Sequence, residues 1–484
     1  MAVVLGVDSS TQSTKVEARD ADTGAVVGIG RGAHPPTTPP RSEQDPAAWW
    51  DALATAVRAL DDDVRRDVRA IAVGAQQHGL VVSDGAGNVL RPAKLWNDTE
   101  SAPQATALRD KLGAETWAEA VGLVPVASFT ITKLAWLAEH EPATLAATRR
   151  VQLPHDWLTW RLCGEHVTDR GDASGSCWWS AADGTVHHEL LALVDPDRDW
   201  APVLPTVLGP TDVAGHVTAE AAAELGIGDG SPIVVGPGTG DNMSAALGLG
   251  LGPGDLVVSL GTSGTAYARS ERATADASGL VAGFADAAGG FLPLICTLNA
   301  TKVTDFVGGL IGMDAPALAA AALEAPPGAG GVVVVPYLDG ERTPDLPDAS
   351  AAICGLRSNA DHGSLARAAH EGVACGLLEG VDALVDAGVD VDGRLLLVGG
   401  GARSAAYRRV VADLAARTVT VPDDDEVVAT GAAAQAAAVL AGTSPDEVAD
   451  RWGLGRGTTV EPDTTVDAAA IRARYRDMAT RVAT

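Results

Sequence analysis

Positive charge is scarce in this 484-residue chain: 35 Lys plus Arg stand against 63 Asp plus Glu, for a formal net charge of −28. A field of that sign repels phosphodiester backbones and anionic lipid headgroups, so neither nucleic acid nor a membrane surface is expected as a partner. Cysteine is scarce too. Cys163, Cys177, Cys296, Cys354 and Cys375 are odd in number, widely spaced and form no C-x-x-C pair, which speaks against a zinc clip or a redox dithiol and fits a reducing cytosol. There is no run of 18 apolar residues to span a bilayer, and Asp8 follows only a short apolar run, unlike the long apolar core of a secretory leader. A soluble, cytoplasmic protein is expected. None of the five lysines follows a glycine, so the G-x-x-x-x-G-K-[ST] phosphate loop is missing, as are the H-E-x-x-H zinc helix and the G-x-S-x-G nucleophile elbow.

The chain does have size and apolar content: at roughly 150 residues per domain it is long enough for two to four cores, and 46% hydrophobic against 20% charged residues is ordinary for a folded protein. Residues 2–7 read as a strand, followed by the polar turn Asp8-Ser9-Ser10-Thr11-Gln12-Ser13-Thr14, a second strand at Lys15 to Ala18 and a third near Ala25 to Val27. Half a chain later, Asp255 to Leu260, the turn Gly261-Thr262-Ser263-Gly264-Thr265 and Ala266 to Ala268 repeat the device, and Gly248, Gly250, Gly252 and Gly254 on its approach suit a boundary or hinge. Asp45-Pro46 opens a helix with Trp49, Trp50, Leu53, Val57 and Leu60 on its inner face. Strands at 68–73, 232–235 and 395–398 each end in small or polar residues, and the carboxyl ends of strands are where open α/β sheets bind ligands.

Five groups of residues are candidates for chemistry. Two facing Ser/Thr/Gly turns would hold a phosphate chain through backbone N–H groups and hydroxyls, although each alone also reads as an ordinary polar turn. Asp8, at the end of a buried strand, is placed to hold magnesium against phosphate, or simply to form the turn. Asp241, ahead of the helix start Asn242-Met243-Ser244, is either that helix's N-cap or a carboxylate that accepts the proton of an attacking alcohol. Gly399-Gly400-Gly401-Ala402 lets a planar adenine or a ribose approach the backbone, while Gln76-Gln77-His78 and Trp96-Asn97-Asp98 offer the donors and acceptors a polyhydroxylated ligand needs.

Taken in order along nearly the whole chain, these segments resemble the FGGY family of carbohydrate kinases and, within it, the xylulokinase branch. Asp8 to Lys15 resembles the first phosphate motif, Leu260 to Gly264 the second and Val398 to Ser404 the adenosine motif; Gln76-Gln77-His78-Gly79 and Leu95-Trp96-Asn97-Asp98 resemble sugar motifs, Gly240-Asp241-Asn242 the catalytic G-D-N, and Pro336 to Pro344 the P-Y-L-x-G-E-R-T-P segment. The resemblance implies two ribonuclease H-like α/β domains of the actin, Hsp70 and hexokinase type with a cleft between them: residues 1–247 for sugar, residues 248–484 for nucleotide. It implies ATP-dependent phosphorylation of D-xylulose at its terminal hydroxyl with Asp241 as base. Gln77, His78, Trp96, Asp98, Asp241 and Asn242 would contact the sugar. Ser10, Thr11, Gln12, Ser13, Lys15, Gly261, Thr262, Ser263, Gly400, Gly401, Ala402 and Arg403 would contact ATP, and Asp8 would hold Mg2+. A homodimer is also implied. The chain departs from the family where Ser9-Ser10 replaces a residue followed by glycine, and where Gln77 replaces the usual Met. The absence of an Arg-Glu pair near Gln77 and His78 argues against glycerol. A different ketose or polyol, or a non-catalytic sugar- or nucleotide-responsive regulator on the same scaffold, is the competing expectation; the regulator is weakened by the acidic charge and by a first strand that leaves no room for a DNA-reading module.

Overall fold

The computed structural model describes residues 1–482. β1 (Val3–Ser9), β2 (Ser13–Asp20) and β3 (Val26–Ala33) form the antiparallel meander expected from the sequence, and β1 pairs in parallel on its other side with β4 (Val68–Ala75). β1 is buried along its whole length, as its near-continuous apolar run requires of a strand covered on both faces. β5 (Gly215–His216), β6 (Val234–Val235) and β7 (Thr239–Gly240) complete the sheet in the order β5-β6-β4-β1-β2-β3, with β7 also on β4. β6 and β7 lie along one neighbour, at Ala70 and Ile71 and then at Gly74 and Ala75, so they are one strand interrupted by Gly236-Pro237-Gly238. Proline cannot donate to a ladder and Gly238 has φ 75°, which explains the break.

The second half repeats this plan. β8 (Leu256–Leu260), β9 (Gly264–Ala268), β10 (Ala282–Ala285), β11 (Phe291–Thr297), β12 (Leu395–Val398), β13 (Val419–Pro422) and β14 (Gly457–Val460) run β10-β11-β9-β8-β12-β13-β14. Strand for strand, β11-β9-β8-β12-β13 copies β3-β2-β1-β4-β6, with an antiparallel meander followed by two parallel strands. The fold is therefore the duplicated ribonuclease H-like α/β arrangement.

Helices cover the sheets: α1 (Pro46–Arg58), α2 (Pro154–Cys163), α3 (Arg170–Ser174), α4 (Asp241–Gly248), α5 (Thr301–Ile311), α6 (His362–Asp386), α7 (Ala405–Ala415) and α8 (Val427–Ala441). Asp45 caps α1 through the Ala47 N–H at 3.0 Å, as its Asp-Pro start predicts. α8 does not stay with its own half of the sequence. It packs against α4, β1 and β4 of the first sheet, and its small residues allow this, since a Cβ at Gly431 or Gly248 would strike the carbonyl of Ser244 or Val427 across the helix pair. The crossing is locked by Arg19 with Asp424 and by Lys15 and Arg31 with Glu426, and one apolar cluster runs from Val4 through Met243 to Val257 and Ala433. No single helix among the described residues is long and apolar enough to cross a membrane.

Candidate active site

Asp241 is the first residue of α4, and Gly240 takes the N-cap position with no capping side chain, so Asp241 is not the cap. Its Oδ1 instead accepts the Asn242 N–H at 2.8 Å and Asn242 Nδ2 at 3.2 Å. The approach to it is fixed from both halves of the chain. Gln435 on α8 accepts the Gly238 N–H at 2.9 Å and donates to the Gly238 carbonyl at 3.1 Å, while Thr239 Oγ1 donates to Asp169 Oδ2 at 2.6 Å. Burial, with the nearby carboxylates of Asp8 and Asp172, pushes Asp241 up to about 7.

Two cavities meet at this residue. One, of about 370 Å³, is lined by Ser259, Tyr267, Gly399, Gly400, Ala402, Arg403 and Pro422. The other, of about 350 Å³, is lined by Ser10, Thr11, Gln77, His78, Trp96, Phe129, Phe284, Ser263 and Arg342. Asp241, Asn242 and Thr265 belong to both. The two Ser/Thr turns thus converge, one from each half, on the carboxylate between the cavities. This arrangement suits transfer of a group from a ligand in the first cavity to a hydroxyl in the second.

The second cavity is polar where a sugar would need it. Asn242 Nδ2 donates to Gln77 Oε1 at 2.6 Å, which leaves Gln77 Nε2 buried and without a partner among the described residues. His78 is 8% exposed, has φ 63° and leaves Nδ1 unpartnered; a left-handed conformation at a non-glycine residue costs on the order of 1 kcal/mol, a strain that aims the ring into the cavity between Phe129 and Phe284. Gly175 makes room for it, because a Cβ there would collide with the imidazole. Burial, reinforced by Lys133 and Arg342, holds His78 well below its ordinary value, so the ring is neutral and can both donate and accept. Trp96 Nε1 donates to Thr11 Oγ1 at 3.0 Å, tying the wall of the second cavity to the first turn.

Asp8 lies within β1, paired with Lys15, and so does not form the turn. It is 6% exposed and its Oδ1 has no hydrogen-bond partner among the described residues. Burial raises it to about 6, opposed by Lys15 and helped by Glu426. The Ser9 and Ser10 hydroxyls are both engaged: Ser9 Oγ accepts from Thr14 at 3.3 Å and Ser10 Oγ donates to the Ser13 carbonyl at 3.0 Å.

Not every expected residue reaches a cavity wall. Asp98 is fully buried elsewhere, accepting the Ser42 N–H at 2.9 Å and Lys94 Nζ at 3.2 Å. Lys94 also meets Glu100 at 2.6 Å and Glu43 at 3.3 Å and lies 3.9 Å from the centre of the Trp136 ring, so the L-W-N-D aspartate serves a buried charge network. Gln12, Ser13 and Lys15 sit in or beside the first turn without lining either cavity, and Lys15 is engaged by Glu426 at 2.7 Å. Gly261 and Thr262 use their carbonyls to hold the start of α5, through the N–H groups of Thr301 at 3.0 Å and Ala300 at 3.1 Å.

Gly400 and Gly401 of the third turn differ. A Cβ at Gly401 would lie 2.7 Å from Leu260 Cβ, whereas one at Gly400 would meet nothing within 4 Å and would point into open space at the cavity wall. Gly400→Leu is therefore expected to raise the KM of the ligand that fills this cavity about tenfold or more with Tm unchanged, because the side chain takes up cavity space and displaces no protein atom. Steady-state kinetics and a thermal melt check this. Thr265, Arg342 and Asp172 are the residues that sequence reasoning left out; the first two lie inside quoted motifs, but nothing local singles them out.

Residues 3–248 match the N-terminal domain of the FGGY family of carbohydrate kinases, and residues 256–440 match its C-terminal domain. The chain is 49% identical over 460 residues to the xylulose kinase of Streptomyces rubiginosus, covering 95% of this chain and 92% of that protein. It superposes on the crystal structure of xylulose kinase from Bifidobacterium adolescentis with a TM-score of 0.88 at 41% identity, covering 99% of each chain. The glycerol kinase of Plasmodium falciparum with ADP shares the fold, with a TM-score of 0.87 at 20% identity over 100% of this chain and 98% of that one.

Proposed function

The chain belongs to the FGGY family of carbohydrate kinases, and on that premise we propose that it transfers the γ-phosphoryl group of ATP to the terminal hydroxyl of D-xylulose, giving ADP and D-xylulose 5-phosphate. It is a phosphotransferase acting on an alcohol group. The observation that carries the reading is the position of Asp241 at the junction of two cavities, one walled by the glycine turn after β12 and the other by His78 and its aromatic neighbours. ATP occupies the first and the open-chain ketose the second. The bond from the γ-phosphorus to the bridging oxygen of ADP breaks, the bond to the sugar oxygen forms, and the hydroxyl proton passes to the Asp241 carboxylate. Phosphoryl transfer has a loose transition state, so aligning the hydroxyl matters more than base strength.

Gln77 and Asn242 act as a coupled pair: the Asn242 amide fixes Gln77 Oε1 and frees Gln77 Nε2 to donate to a sugar oxygen. Neutral His78 bonds a second hydroxyl. Asp8 fits Mg2+, since a buried carboxylate oxygen without a donor is what a hard cation takes up. When bound, the ion supplies positive charge against the phosphates. The same reading includes a cytoplasmic homodimer, an expectation carried by the resemblance. Relatives that are kinases over nearly their whole length favour an enzyme over a regulator on the same scaffold. ADP release measured over a panel of ketoses and polyols tests the substrate: D-xylulose should give the highest kcat/KM, and faster turnover of glycerol or ribulose overturns the choice.

A further inference from the structure

Arg342 brings a positive charge into the wall of the sugar cavity, and the segment around it is stitched in place. Thr343 Oγ1 donates to the Cys296 carbonyl at 2.7 Å. Glu341, 3% exposed, accepts the N–H groups of Leu298 at 2.5 Å and Arg342 at 2.8 Å and the Asn299 amide at 2.8 Å, and that amide also donates to the Gly340 carbonyl at 2.7 Å. These bonds clamp residues 340–343 onto the end of β11, whose Cys296 and Thr297 line the same cavity. The guanidinium makes no hydrogen bond or ion pair among the described residues, yet its field reaches both His78 and Cys296. The other cations at the two cavities and the first turn are already engaged: Lys15 by Glu426 at 2.7 Å, Arg403 by Asp425 at 3.1 Å and Arg408 by the Ala402 carbonyl at 2.5 Å.

A neutral ketose gives no reason to hold an unpaired cation in its cavity, because hydroxyls are satisfied by neutral donors and acceptors such as Gln77, His78 and Asn242. The group that does arrive with negative charge is the phosphoryl. It passes Asp241 into this cavity and remains there as a phosphomonoester until release. We propose that Arg342 is a catalytic residue that donates its guanidinium N–H groups to the oxygens of the phosphoryl group during transfer and then to the phosphate of the product. The planar fork of arginine matches two such oxygens at once, and its charge offsets the repulsion between the incoming phosphoryl and the Asp241 carboxylate.

The inference rests on the phosphotransferase reading, and turnover of D-xylulose by the wild-type enzyme decides that reading separately. Given that turnover, Arg342→Met is expected to lower kcat by about 10² to 10³-fold, the usual consequence of removing one preorganised charge from a transition state. The KM for D-xylulose and the Kd for ATP should stay within about threefold, because neither ground-state ligand depends on the guanidinium. Affinity for D-xylulose 5-phosphate should fall about tenfold or more, and added guanidinium ion should restore part of kcat. A kcat near that of wild type, or a loss confined to the KM for D-xylulose, overturns the proposal. Should Arg342→Met fail to fold, product affinity in Arg342→Lys carries the test: a loss supports the role, and wild-type affinity removes it.

Discussion

Asp241→Asn is expected to lower kcat for D-xylulose phosphorylation by about 10³-fold while leaving D-xylulose binding measurable by calorimetry, since positioned bases contribute roughly 10² to 10⁴-fold. The asparagine keeps the size of the side chain and an oxygen to accept the Asn242 N–H, so the start of α4 need not move. It loses the lone pair that receives the hydroxyl proton. The same substitution should stabilise the fold. Asp241 is pushed up to about 7 by burial and by the carboxylates of Asp8 and Asp172, so the folded state binds its proton more tightly than the unfolded chain. Stability from this group is therefore present at acid pH and lost as pH rises towards 7, and at pH 8 the neutral amide should gain on the order of 1 kcal/mol. Wild-type kcat/KM should run the other way, falling as pH drops through about 7. A variant that turns over within tenfold of wild type, or that unfolds at lower urea, would remove Asp241 from the centre of the mechanism.

What the sequence made legible was local. The strands either side of each Ser/Thr turn follow from apolar runs punctuated by turn residues, and α1 from an Asp-Pro start with apolar residues at helical spacing. Asp241, Gln77, His78 and the two turns were legible because each follows the end of a strand, and strand ends in duplicated sheets come together; Trp96 was legible through the segment Leu95 to Asp98, which resembles a sugar motif. The rest depends on partners remote in sequence. Nothing near residue 427 announces that α8 leaves its own half to pack on β1; that depends on Gly431 and Gly248 meeting across 183 positions. Asp98 sits in a segment that resembles a sugar motif, but its fate is set by Lys94, Glu43 and Glu100 closing over it. Arg342 falls in a recognisable segment, yet that its guanidinium is unpaired among the described residues shows only when the partners of every nearby cation are known.

His155 is a further residue that the sequence hides, and its replacement should have the largest effect on stability. The ring is fully buried, with Nδ1 2.8 Å from Asp172 Oδ2 and Nε2 3.1 Å from Asp156 Oδ1 and 3.7 Å from Asp169 Oδ1. Burial opposes its charge, but the three carboxylates outweigh burial and push the imidazolium up to about 9, while burial pushes Asp156 up to about 7. His155→Leu would leave three buried carboxylates without a counter-charge, and breaking a buried ion pair from one side costs about 3 to 5 kcal/mol. The loss should shrink towards pH 5, where the orphaned carboxylates can take up protons. In the wild type both raised groups bind protons more tightly folded than unfolded, so this cluster's stability is present below the unfolded values and is lost as pH rises through about 7 and then about 9. Urea midpoints at pH 5, 7 and 9.5 for both proteins measure it, and a loss below about 1 kcal/mol at pH 7 would show that the carboxylates are relieved in some other way. The consequence reaches catalysis through one bond: Asp169, held in this cluster, accepts Thr239 Oγ1 at 2.6 Å two residues ahead of Asp241. A folded His155→Leu protein should therefore lose kcat while its KM for ATP is kept, since the cavity proposed for nucleotide is walled, apart from Asp241, Asn242 and Ala245 of α4, by residues of the second half of the chain.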